Sequence, residues 1–275
     1  VTEIRNVHII SHTHWDREWY LNSRYTNAWL VPFFDSLFAM LEKEPRYRFI
    51  LDGQTCLIED WYEQLKMRGE DPSPFREKLA GYVRAYRVLI GPYYLQPDWQ
   101  LVSEEALVRN LLLGHQISRE LGGVMQAGWL LDNFGQISQA PQIHREFGLT
   151  GLFVWRGVEM QPNSIRSEFE WASPDGSSVT AVYLVGGYRN AMRLAEYREC
   201  MRGRVQREVA KLSPFAATPN VLLMNGYDQE IEPDDVMPPL SSGELNFDHL
   251  NAVKVSKNIS PRSQKRQHCP RSVEH

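Results

Sequence analysis

Val7-His8-Ile9-Ile10-Ser11-His12-Thr13-His14-Trp15-Asp16-Arg17-Glu18-Trp19 carries both a strand and its end. The apolar, β-branched run is the pattern of a buried strand, and it stops in His-x-His-x-Asp. Side chains of an extended chain alternate between faces. His12, His14 and Asp16 therefore project to one side wherever the extension persists. Imidazole and carboxylate groups gathered at a strand end make a zinc site. A solvated loop that holds two of the chain's eight histidines is the alternative.

Downstream, strand and helix signals alternate. Ala28 to Leu41 has apolar residues at helical spacing, and Tyr47 to Leu51 reads as a strand closed by the turn signal Asp52-Gly53. Leu57 to Met67 and Pro74 to Ala85 read as helices. Val88-Leu89-Ile90 is a strand ended by Gly91-Pro92. Ser103 is a fitting N-cap for a helix reaching about Leu121, with Glu104 and Glu105 complementing its first turn. Gly128 to Leu131 and Leu152 to Trp155 are strands on either side of a short helix, Pro141 to Phe147. Phe169 to Trp171 and Val179 to Val185 form a hairpin around Pro174-Asp175-Gly176. Arg193 to Leu212 reads as one helix, and Val221 to Met224 as the last strand.

Strands separated by helices predict an α/β fold with a parallel sheet and helices packed outside. At 275 residues, a closed or nearly closed α/β barrel competes with an open doubly wound sheet. Both build sites beyond the carboxyl ends of their strands. Asp16, Asp52, Asp132 and Asp228 all stand there, and four together suggest a shared site. Asp52, beside Gly53, is the one most easily explained as a turn residue.

Composition sets outer limits. The chain is 43% hydrophobic and 23% charged with a formal charge of −4, ordinary globular material that does not point to nucleic acid or an anionic membrane surface. No apolar run reaches bilayer-spanning length, and Val1 to Val7 lacks the pattern of a secretory signal. Three isolated cysteines, Cys56, Cys200 and Cys269, form neither a disulfide framework nor a Cys-x-x-Cys site, which favours a cytoplasmic location. From Lys254 onward the charged residues are basic except Glu274, with few apolar neighbours. Residues 1–240 are therefore expected to form the folded domain, and 241–275 a poorly folded or aberrant tail.

Taken singly, the chemical segments have plain explanations. Asp132 in Trp129-Leu130-Leu131-Asp132-Asn133-Phe134-Gly135 could cap the next helix, bind metal or act as a nucleophile. Asp228, after Asn225-Gly226, could belong to a surface turn. Trp19 could be core, and Arg156 a surface charge.

Five segments together say more. His12-Thr13-His14-Trp15-Asp16-Arg17-Glu18-Trp19, Leu51-Asp52-Gly53-Gln54, Gly91-Pro92-Tyr93-Tyr94, Gly128 to Gly135 and Asn225-Gly226-Tyr227-Asp228-Gln229 keep the order seen in glycoside hydrolase family 38 α-mannosidases. The chain resembles that family, its bacterial cytoplasmic members most, over residues 5 to 235. The resemblance implies a distorted, seven-stranded parallel α/β barrel with outer helices. It also implies zinc-assisted hydrolysis of terminal α-D-mannosides with retention. His14 and Asp16 match zinc ligands. Asp132 matches a residue that is both zinc ligand and nucleophile, and Asp228 matches the general acid/base. Trp19 matches an aromatic of the sugar subsite, and Arg156 an arginine near the nucleophile. His12 is not a ligand in the family pattern and is expected to support the site through hydrogen bonds. The acid must begin protonated, so Asp228 is expected in a drier place or near other acids.

The family pattern also includes a fourth zinc ligand, a histidine from a helical segment downstream of the barrel, and helical and β-sandwich domains. None of these has a counterpart in the sequence, so a truncated catalytic domain is expected. Its exposed apolar surface predicts poor solubility or association into a homo-oligomer. Rival readings are a metal-dependent carbohydrate deacetylase, a non-catalytic sugar-binding remnant, and binding of an anionic partner by the basic tail.

Overall fold

The computed structural model describes residues 3–158, 164, 166–197 and 200–236, together with the backbone of 246–249. The elements are β1 (Asn6–Thr13), α1 (Ser23–Thr26), α2 (Leu30–Lys43), β2 (Phe49–Leu51), α3 (Cys56–Met67), α4 (Ser73–Arg84), β3 (Val88–Leu89) and α5 (Glu104–Glu120). They continue with β4 (Gly128–Leu130), α6 (Ala140–Glu146), β5 (Gly151–Val154), β6 (Glu168–Ala172), β7 (Ser178–Tyr183), α7 (Met201–Leu212), β8 (Asn220–Asn225) and β9 (Asn246–His249).

The strands pair as two sheets. One has the order β3-β2-β1-β8, with β9 also beside β1, and is parallel throughout. The other has the order β4-β5-β7-β6, where β6 runs antiparallel to β7 across the expected hairpin. The α/β class with parallel strands is as expected, but among the described residues the ladders do not close into a barrel. The reasons are local. β3 is only two residues long, and its side is tied towards β4 by a single bond, Met125 N–H to Ile90 O at 2.9 Å. At the other seam the reversed strand β6 forms the sheet edge. There Ser167 N–H reaches Phe215 O at 2.9 Å.

Alternation along each strand divides the core. Val7 and Ile9 of β1, with Phe49, Leu51, Val88, Val221 and Leu223, pack outward on Phe34, Leu37, Trp61, Leu79 and Val205 of the helices. Ile10, with Ile50, Leu89 and Met224, packs instead with Trp129, Phe153, Val154 and Val182 of the second sheet. Each such fully buried side chain contributes about 1.5–3 kcal/mol, which fixes strand register because a one-residue slip would exchange the faces.

Ser103 caps α5 as expected, its Oγ accepting from Ala106 N–H at 3.3 Å. The helix expected from Arg193 begins only at Met201. Arg193 has φ +49°, in the left-handed region. Leu194 N–H donates to Asn225 Oδ1 at 3.1 Å and Ala195 N–H to Asp234 Oδ2 at 2.8 Å. The left-handed backbone at Arg193 breaks the right-handed path a helix needs, so the helical spacing of the segment is overridden. β9 was not foreseen; the rest of the expected tail lies outside the described residues. Among the described residues no helix is long and apolar enough to cross a membrane.

Candidate active site

The chemistry-bearing side chains lie beyond the carboxyl ends of five strands. His14 and Asp16 follow β1, Asp52 follows β2, Asp132 follows β4, Arg156 follows β5 and Asp228 follows β8. Beyond β8 the chain stays beside β1: His14 N–H donates to Tyr227 O at 3.1 Å, and Gln229 N–H to His14 O at 2.7 Å. Gly226 permits this approach, because a Cβ there would collide with the His12 carbonyl oxygen. The turn after β8 therefore carries Asp228 to the residue that bears the imidazole.

His14, Asp16 and Asp132 each offer a ligand atom, all within 4.8 Å of one another. His14 Nε2 is 3.3 Å from Asp16 Oδ1 and 3.6 Å from Asp132 Oδ2. Ligands about 2.0–2.2 Å from a tetrahedral metal lie roughly 3.4 Å apart, so the spacing and the donor set, one imidazole and two carboxylates, fit a divalent cation.

The other ring nitrogen fixes the imidazole. His14 Nδ1–H donates to Asp52 Oδ1 at 3.1 Å, which turns Nε2 towards Asp16 and Asp132. Asp52 Oδ2 also accepts from Trp15 N–H and from Gln54 Nε2, each at 2.7 Å. The residue is wholly buried, with φ +47° in the left-handed region that Asp tolerates. It is therefore more than the turn residue the sequence suggested. Its position at a strand end, shared with the other acids, was the available signal. Burial works to lower the His14 pKa, but the Asp52 charge and the hydrogen bonds to Asp16 and Asp52 raise it well above 6.5. A metal bound at Nε2 competes with the proton that those carboxylates favour. Asp52→Asn keeps the turn and removes the charge. We expect it to weaken divalent-metal affinity about 10–100-fold in competition with a chromophoric chelator; unchanged affinity would reduce Asp52 to a turn residue.

Asp132 divides its oxygens. Oδ2 faces His14, and Oδ1 accepts from Arg156 Nε–H. The Arg156 guanidinium carbon is 4.2 Å from the ring centroids of both Phe134 and Trp155, which hold its plane. The loop bearing Asp132 is pinned by Asn133 Nδ2–H to Pro97 O and Phe134 N–H to Asp98 Oδ1, both at 2.6 Å.

Asp228 is partly buried, its side chain 20% exposed. Its neighbours are Tyr188, whose hydroxyl donates to Oδ1 at 2.7 Å, and Arg189, whose Nη1 donates to Oδ2 at 3.2 Å. Sequence reading missed both; they lie in a segment of turns without strand or helix periodicity. The Tyr188 ring packs on His14 with centroids 5.1 Å apart. Burial, then the bond to Asp228 and the Asp132 charge, raises the Tyr188 phenol, which stays a donor. His12 supports the site as expected: it is buried, and Nε2 bonds to Tyr188 O at 2.9 Å. Trp19 stands apart. It is 60% exposed with its ring on Tyr20, and among the described residues no hydrogen bond or ring contact joins it to the carboxylates.

Residues 5–264 match the model of the glycosyl hydrolases family 38 N-terminal domain. The chain is 32% identical, over 88% of its length and 28% of that protein, to the protein named "Putative mannosylglycerate hydrolase" of Halalkalibacterium halodurans. It is 27% identical to the alpha-mannosidase of Saccharomyces cerevisiae over 64% of this chain and 16% of that one. The crystal structure of an alpha-mannosidase from Enterococcus faecalis superposes with a TM-score of 0.84 at 29% identity, covering 94% of this chain and 30% of that one. The chain thus spans less than a third of the length of these relatives. It belongs to glycosyl hydrolase family 38, whose N-terminal domain it carries.

Proposed function

We propose that the chain carries the catalytic carboxylates of a zinc-assisted, retaining α-mannosidase acting on terminal α-D-mannosides. The observation behind this reading is the cluster of His14, Asp16 and Asp132 donor atoms within 4.8 Å. His14, Asp16 and Asp132 would hold the cation, which would supply positive charge and help to orient the sugar hydroxyls. Asp132, beside Arg156, attacks the anomeric carbon as the glycosidic C–O bond breaks. Asp228 gives its proton to the departing oxygen. It then takes one from the water that displaces Asp132, restoring both carboxyls with the anomeric configuration retained. Trp19, exposed and apart from the carboxylates in this structure, is assigned to stacking on the sugar by the family resemblance alone. We place the enzyme in the cytoplasm, on the isolated cysteines Cys56 and Cys200, which are free thiols.

The test offers the zinc-loaded chain an aryl α-mannoside and an N-acetylated sugar polymer, with product anomers read by proton NMR. The expected result is α-mannose as the first product, lost on chelation and restored by zinc. β-Mannose first would overturn retention. Acetate release alone would establish the deacetylase, which family membership does not favour, and no release from either substrate would favour a non-catalytic binding role.

A further inference from the structure

We propose that Tyr188 is the positioning residue for Asp228, holding the acid's carboxyl in one orientation and tying it to the wall of the metal cluster; this rests on the mannosidase reading. The hydroxyl at 2.7 Å holds Oδ1, while the other oxygen, Oδ2, is met at 3.2 Å by Arg189, a half-exposed side chain. Of the two partners only Tyr188 is fixed on several sides. It is 2% exposed. Its carbonyl accepts from His12 at 2.9 Å, and its ring packs on His14 and, edge-on at 5.3 Å, on Trp155. Trp155 in turn flanks Arg156, the partner of Asp132. One rigid ring therefore touches the imidazole of the metal cluster, the aromatic wall behind Asp132 and the acid on the neighbouring strand end. Oδ1 is committed to the phenol, so Oδ2, on the more open side, is the oxygen that meets the glycosidic oxygen. Arg189 is the partner that yields.

Tyr188→Phe removes the hydroxyl and keeps the ring. In the full zinc-loaded chain we expect kcat/KM to fall about 10–100-fold for mannosides with poor leaving groups and less than about threefold for a dinitrophenyl mannoside, with zinc affinity unchanged. A merely structural role would lower both substrates equally, and that result overturns the proposal. A crystal structure of the Tyr188→Phe chain gives a reading independent of turnover. Rotation of the Asp228 carboxyl, or more than one conformer of it, supports the proposal; an unmoved single conformer contradicts it. Wild-type chain inert on the dinitrophenyl mannoside would sink the mannosidase reading, and the Asp228 conformation would still decide the role of Tyr188.

Discussion

On the proposed function, Asp132→Ala is expected to lower turnover by about 10⁴-fold or more, on the order of the loss when a nucleophile is deleted, and also to weaken zinc binding. The two effects come from one side chain because its oxygens serve different partners. Oδ2 belongs to the cluster with His14 and Asp16, and Oδ1 to Arg156. On the proposed reading alanine would delete a ligand and the attacking group together, and it leaves a guanidinium without its anion between Phe134 and Trp155. The fold should survive. Asp132 stands on a loop whose backbone is pinned by Pro97 and Asp98, and the strand before it is held by Trp129, Leu130 and Leu131 in the core. The check is steady-state turnover of an aryl mannoside beside zinc calorimetry. Activity within tenfold of wild type would remove Asp132 from the chemistry; full zinc affinity would remove it from the ligand set.

Asp228→Ala has the second largest effect, and its size depends on the substrate. With a poor leaving group the departing oxygen needs a proton as the bond breaks, and the expected loss in kcat/KM is about 10²–10⁴-fold. A dinitrophenolate departs without that help, so glycosylation by such a substrate should change little. Its kcat should still fall, because water must be deprotonated to release the sugar from Asp132. Equal losses in kcat/KM for both kinds of substrate would contradict the acid assignment. The prediction differs from that for Asp132→Ala in a second respect: zinc binding should be unaffected, since the Asp228 carboxyl is bonded to Tyr188 and Arg189.

Much of this was legible before any coordinates, for physical reasons. The first strand and its ending followed from the apolar, β-branched run, and alternation projected His12, His14 and Asp16 to one side. Acids at strand ends converge because parallel strands open their carboxyl ends to one side of the sheet. Tyr188 and Arg189 were not legible, because they come from turns, where neither periodicity nor capping chemistry marks a residue. Asp52 was underrated because its turn signal, Asp-Gly, is genuine. The left-handed turn is what buries the carboxylate under His14, so the residue is at once the turn and the hydrogen-bond partner of the imidazole. The Arg193 segment misled because helical spacing carries no information about the left-handed backbone that Arg193 adopts. The barrel failed to close in the described pairing at the two seams where β3 is short and β6 reverses.

The central claim is that separate strand ends deliver His14, Asp16 and Asp132 to one divalent cation within reach of Asp228. Anomalous diffraction at the zinc edge, from crystals of the full chain grown with zinc, tests it most directly. The account predicts a zinc peak about 2.0–2.2 Å from His14 Nε2 and from one oxygen each of Asp16 and Asp132, with the Asp132 and Asp228 carboxyls about 5–5.5 Å apart. A peak bound through His14 Nδ1, a zinc held elsewhere, or carboxyls well beyond that separation would contradict it.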